Sequence, residues 1–168
     1  SARGRVQTWR DLRSSFPDRE IHLFAPGRQS GTHQTFARAV LGSSVLRSDF
    51  TSSESDHTLV AGVASDRDAL GVFGYAYFAS QREALRAVPI AADERTPAVA
   101  PTSTTIAGGA YVPLSRPLFL YVNRASLARP GVHSFVAFFL EHAPRLAPDT
   151  GSVPLSPSAY AGARERLE

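Results

Sequence analysis

The sequence predicts an α/β fold. Three observations carry that expectation. Short apolar runs alternate with segments of helical spacing. Hydroxyl residues stand where helices begin, and Gly or Pro stands where elements end. The 168 residues are 43% apolar and 20% charged, which is globular and not disordered composition.

Taken in chain order, Thr8-Trp9-Arg10-Asp11 reads as a capping box that opens a short helix ended by Pro17. Ile21, Leu23 and Phe24 form a strand, and Ala25-Pro26-Gly27 turns the chain. A helix runs from near Ser30 to Leu41, with Gly42 as its stop and Phe36, Val40 and Leu41 on its apolar face. Residues 42–51 are polar and irregular. Ser53-Glu54-Ser55-Asp56 reads as a second capping box, followed by a helix carrying Leu59, Val60 and Val63 on one face. Residues 72–78 are aromatic and β-branched and predict a buried strand, which makes its alternating Tyr75 and Tyr77 core. A short helix is expected at 81–86, a strand at 87–90, a surface loop at 91–101 and a helical turn at 102–107 before Gly108-Gly109. After the Pro113 to Pro117 corner, residues 118–122 predict a strongly apolar strand. Residues 132–145 predict a helix, with Phe135, Phe138, Phe139 and Leu140 at i, i+3, i+4 and i+5.

Composition excludes several classes of function. The chain has no Cys, so disulfide scaffolds, thiolate metal sites and thiol nucleophiles are out. All the basic residues are Arg, they are scattered, and the net charge is only +3, which argues against a nucleic-acid binder. No apolar run approaches the roughly 20 residues that span a bilayer. The histidines His22, His33, His57, His133 and His142 make no His-x-x-x-His pair, so no metal site is expected. A Gly-x-Ser-x-Gly elbow is absent around Ser30, and His33 on the next turn would point along the helix, so no catalytic residue is assigned. No cofactor is implied.

The most informative local feature is the strand-turn-helix junction from Phe24 to Thr32. The first N–H groups of a helix lack intrahelical partners, and the dipole adds roughly half a positive charge there. Gly31 permits close approach, Ser30 and Thr32 add hydroxyls, and Arg28 or a more distant Arg can add charge-assisted bonds. These are the elements of an oxyanion site, although Ser and Thr are also ordinary helix caps.

At this turn the wider sequence resembles the phosphate-binding protein of the bacterial high-affinity phosphate ABC transporter, a type II periplasmic binding protein. The resemblance rests on residues 5–12 around Trp9 and Asp11 and on the Ala25 to Thr32 loop with Phe36. It continues through the Arg47 to Asp56 block, the Ala69 to Phe78 motif and the Tyr111 to Val122 segment, in the family's order. It implies a mixed central sheet flanked by helices and a phosphate held between two α/β domains. Ser30, Gly31, Thr32 and Arg47 are the implied phosphate ligands, with Arg28, Gln29 and Asp56 as second-tier candidates. Pro26 stands where many members place Arg, and Arg47 is expected to replace it. Gln29 stands where the matching branch has Asp, and Ser55 and His57 fall in a stretch that is usually Asp-Asp-Asn.

The resemblance further implies a ligand-binding domain at 2–110, a return hinge at 111–117, and a strand and helix at 118–168 that complete the first domain. The Ser1-Ala2-Arg3 start is expected to follow an N-terminal half of the same protein, and the Gly151 to Tyr160 tail looks like the family's C-terminus. Inorganic phosphate and an ABC permease are the implied partners, in a periplasmic or extracellular location. A cell-surface or signalling module of the same fold with a degenerate anion site is the alternative.

Overall fold

The computed structural model describes residues 4–42 and 46–167. The Ser1-Ala2-Arg3 start and positions 43–45 of the irregular 42–51 stretch lie outside the described residues. The chain divides into two compact units, Ser1–Ala87 and Val88–Glu168.

The first unit is built on a small parallel sheet. Helix α1 (Trp9–Leu12) forms because Thr8 and Asp11 satisfy each other's backbone: Asp11 N donates to Thr8 Oγ1 at 3.3 Å, and Thr8 N donates to Asp11 Oδ2 at 2.8 Å. It ends at Leu12, well before Pro17, because Arg13 is already extended. Strand β1 (His22–Ala25), helix α2 (Gly31–Leu41), strand β2 (Thr51–Ser52), helix α3 (Asp56–Ser65) and strand β3 (Ala69–Gly71) follow. The strands lie in the order β2-β1-β3, all parallel, with Phe24 opposite Thr51 and Gly71, and His22 opposite Ala69. The expected α/β class is therefore present as a parallel sheet flanked by helices. Ala25, Ala37, Leu59 and Val60 are its buried apolar side chains. Gly42 stops α2 in the left-handed conformation at φ 60°, as a C-terminal glycine does.

Several expectations for this unit are corrected. The second capping box does not form: Ser55 is the N-cap of α3 and makes no side-chain cap bond, while Ser53 Oγ accepts from Ser55 N at 3.1 Å. The 72–78 strand is replaced by the end of β3 at Gly71 and by helix α4 (Tyr75–Ser80), with Gly74 as N-cap. A short apolar run fits either element, and the Gly74 break decides it. Tyr75 and Tyr77 are half-buried rather than core: the Tyr75 hydroxyl accepts from Arg82 at 2.7 Å, and the Tyr77 ring meets His57 edge-on. Residues 81–86 form turns closed by Ala84 N and Leu85 N on the Gln81 carbonyl.

In the second unit, Ile90 and Val99 form one antiparallel bridge around the expected loop, so 87–90 is a bridge position rather than a strand. Helix α5 (Ser103–Ala107) is capped by Thr102 and Thr105. Helix α6 (Pro130–Leu146) starts with Pro at its first position and packs against α7 (Pro157–Arg164), and Val136 and Tyr160 are buried. Residues 118–122 form no strand. Leu118, Phe119 and Tyr121 are 74%, 70% and 87% exposed, and among the described residues no strand pairs with them. No helix among the described residues is long and apolar enough to cross a membrane.

Candidate functional site

In an open parallel sheet, ligands bind beyond the carboxyl ends of the strands, where backbone loops and helix N-termini converge. Here that edge carries the β1–α2 turn and the residues around β2. Ala25 ends β1, Pro26 is buried, and Ser30 caps α2. Ser30 N donates to the Gly27 carbonyl at 3.0 Å, and Ser30 Oγ accepts from Thr32 N at 3.2 Å. The Ser30 hydroxyl hydrogen stays available as a donor. Gly27 packs closely on Glu54, whose carboxyl end lies where a Cβ would stand.

A cavity of about 200 Å³ opens beside this turn, lined by Gly27, Arg28, His33, Arg47, Phe50 and Ser52 among others. Arg47 is fixed in its wall. Its Nε and Nη2 donate to the two carboxylate oxygens of Asp49 at 2.5 and 2.6 Å, and its Nη1 donates to the Val6 carbonyl at 2.9 Å. Each Nη carries a second hydrogen, so the clamp orients the guanidinium without using all its donors. The Asp49 hydrogen bonds raise the Arg47 pKa further. In return, the Arg47 hydrogen bonds hold the Asp49 carboxyl down at about 2.

Of the residues singled out in the sequence, Arg28 and Arg47 come together in the cavity wall. Ser30, Gly31 and Thr32 stand at the α2 N-terminus, bracketed in the chain by the lining residues Arg28 and His33. Gln29 is exposed on the turn. Asp56 is the first residue of α3 and half-buried. Burial chiefly raises its carboxyl pKa and the Glu54 charge adds to this, while His57 opposes it.

Sequence reasoning missed His33. It does not merely point along the helix: it is 3% exposed, and its Nδ1 donates to the Pro26 carbonyl at 2.9 Å. The Phe50 ring lies 6.1 Å from it, centroid to centroid. The spacing that could have revealed this is His33 and Ala37, i and i+4, on the buried face of α2.

Comparisons with known proteins fit this architecture. A solved structure described as a possible phosphate binding protein from Planctomyces limnophilus superposes with a TM-score of 0.84 at 38% identity, covering 99% of this chain and 60% of that one. An ABC-type phosphate transport receptor from Vibrio cholerae shares the fold, with a TM-score of 0.59 at 21% identity over 90% of this chain and 59% of that one. Protein SphX of Synechococcus elongatus is 38% identical over 99% of this chain. The phosphate-binding protein PstS of Staphylococcus haemolyticus is 33% identical over 94% of it. The chain spans 49% of the length of each of these two relatives. Residues 2–142 match the PBP superfamily domain, and the chain belongs to that superfamily.

Proposed function

We propose that this chain is the part of an extracytoplasmic solute-binding protein that grips inorganic phosphate for an ABC importer. The observation that carries the reading is the cationic cavity at the carboxyl edge of the parallel sheet, with Arg28 and clamped Arg47 in its wall and the α2 N-terminus beside it. Ser30, Gly31 and Thr32 offer hydroxyl and backbone donors, Arg47 offers the second hydrogens of its two Nη groups, and Gln29 and Asp56 stand further out. The relatives described as phosphate-binding proteins support phosphate as the anion. The mechanism is binding alone. Donors replace the hydration shell of the anion, and no bond of the ligand is made or broken.

The same reading places the protein in the periplasm or outside the cell, with the importer's permease as partner. It assigns residues 2–110 to one ligand-binding lobe, 111–117 to a hinge and 118–168 to the other lobe. The exposed apolar residues Leu118, Phe119, Phe135 and Phe138 support that assignment, since such side chains want a covering surface. The test is titration calorimetry with phosphate and sulfate on the protein expressed from its complete reading frame. Micromolar phosphate binding is expected, and Arg47→Ala should weaken it by about 1.5–3 kcal/mol, the range for a hydrogen bond to a charged group. Binding of neither anion would refute the reading, and an unchanged affinity in the variant would remove Arg47 from the site.

A further inference from the structure

Residues 4–7 lie against Arg47, and the proposed binding mode gives them no part. The segment is anchored through Gln7. Gln7 N donates to Asp11 Oδ2 at 2.8 Å, and the Gln7 carbonyl accepts from Ile21 N at 2.9 Å. Helix α1 and the approach to β1 thus fix its backbone. Gln7 Nε2 turns back and donates to the Gly4 carbonyl at 2.7 Å and to the Val6 carbonyl at 3.3 Å. Val6 in turn offers its carbonyl to Arg47 Nη1 at 2.9 Å. The Arg47 bonds chiefly lower the Asp49 carboxyl, and the Gln7 side chain adds to this. One short segment therefore touches both members of the clamp.

What lets the segment come this close is the missing side chain at Gly4. A Cβ there would stand 2.8 Å from Arg47 Nη1, 2.9 Å from Cζ and 3.3 Å from Nε. Carbon-sized atoms rest at about 3.5–4.0 Å, so a methyl and the guanidinium cannot share this space. The φ of Gly4 is not positive, so the requirement is room and not backbone angle. A free arginine would swing aside at little cost. Arg47 is held at Nε and Nη2 by Asp49 and at Nη1 by Val6. The segment is anchored by Gln7 and the guanidinium ends a flexible side chain, so the guanidinium gives way and leaves Asp49. We infer that Gly4 is a positioning residue for anion binding: its bare backbone lets residues 4–7 seat the Arg47 guanidinium in the cavity wall, and any side chain there displaces it. Gly4 and Gln7 are not among the residues that line the cavity, so they act on the anion only through Arg47. The inference rests on the phosphate reading and extends the site to the segment that supports it.

The experiment is a double-mutant cycle on the complete protein, with phosphate affinity read by titration calorimetry. Gly4→Ala should weaken phosphate binding by about 10-fold, the low end for losing a hydrogen bond to a charged group. In the Arg47→Ala background the space beside Gly4 is open. There the same change should leave phosphate affinity within about 2-fold, the scatter of independent sites. Asp49 supplies a readout that general destabilisation would not move. In folded Gly4→Ala an NMR titration should find its carboxyl risen from about 2 toward 3.8. Should Gly4→Ala not fold, Gln7→Ala takes its place, since it releases the Gly4 and Val6 carbonyls. It should weaken phosphate binding by about 3-fold, as for one neutral hydrogen bond, and only where Arg47 is present. Equal phosphate affinity in wild type and variant, an equal loss in both backgrounds, or an unmoved Asp49 titration in Gly4→Ala overturns the role of Gly4 and leaves the phosphate reading standing. A wild type that binds no anion overturns both.

Discussion

Asp49→Asn tests whether the Arg47 clamp is an ion pair that holds local structure. The change keeps the size of the side chain and removes the charge that receives Arg47 Nε and Nη2 at 2.5 and 2.6 Å. Arg47 would keep its bond to the Val6 carbonyl and at most one neutral bond to the new amide oxygen. The side chains of the pair are 28% and 18% exposed, so the pair is shielded more than a surface bridge. Asp49 falls from its ordinary 3.8 to about 2 on folding, which corresponds to about 2 kcal/mol as an upper limit and about 1 kcal/mol after solvent screening. The sign follows from linkage. A depressed folded pKa contributes stability that is present above 3.8 and is lost as the pH falls toward 2. Urea unfolding followed by fluorescence of Trp9, the single tryptophan of the chain, reads this directly for the unit that contains the clamp. The variant should be less stable by about 1–2 kcal/mol from pH 5 to 8, and the gap should close between pH 3.8 and 2. A gap of the same size at pH 7 and pH 2.5, or none at pH 7, would refute the ion-pair account.

Two further predictions concern the sheet. His22 Nδ1 donates to Asp66 Oδ2 at 2.5 Å, and that bond, followed by the Asp66 charge, raises the His22 pKa above 6.5. An NMR titration should show this elevation, and Asp66→Asn should lower the value; the stabilisation is present below 6.5 and fades as pH rises through the raised value. Glycines 62 and 27 should differ in their tolerance of Ala. A Cβ at Gly62 would meet the packed Phe24 ring, with Cδ1 at 2.8 Å and Cε1 nearer, so Gly62→Ala should cost about 1–2 kcal/mol despite its helix propensity. A Cβ at Gly27 would meet only the movable carboxyl end of Glu54, so Gly27→Ala should stay within about 0.5 kcal/mol in thermal unfolding.

The elements legible in the sequence were those whose determinants are local. Thr8, Ser30 and Thr102 each cap a helix where the hydroxyl stands, and Gly42 and the Phe135-to-Leu140 spacing mark α2 and α6. What could not be read depends on neighbours distant in the chain. Residues 118–122 carry the composition of a buried strand, but a strand exists only where another strand accepts its hydrogen bonds, and none does so among the described residues. The same limit applied at the site. Arg28 and Arg47 were readable as cations, yet the Asp49 clamp is a matter of geometry, as is the bond of His33 Nδ1 to the Pro26 carbonyl.

The all-parallel order β2-β1-β3 also constrains how the first unit comes to exist. Phe24 finds Thr51 only after the α2 crossover, and His22 finds Ala69 only after α3 as well. No two of these three strands are joined by a hairpin, so loop-closure entropy falls due before their ladder bonds are gained. The cavity beside the β1–α2 turn has a wall that draws on both sides of the α2 crossover, so its wall is complete only once that crossover has closed. Gly62 beneath Phe24 belongs to the same closure, because it lets α3 seat on β1.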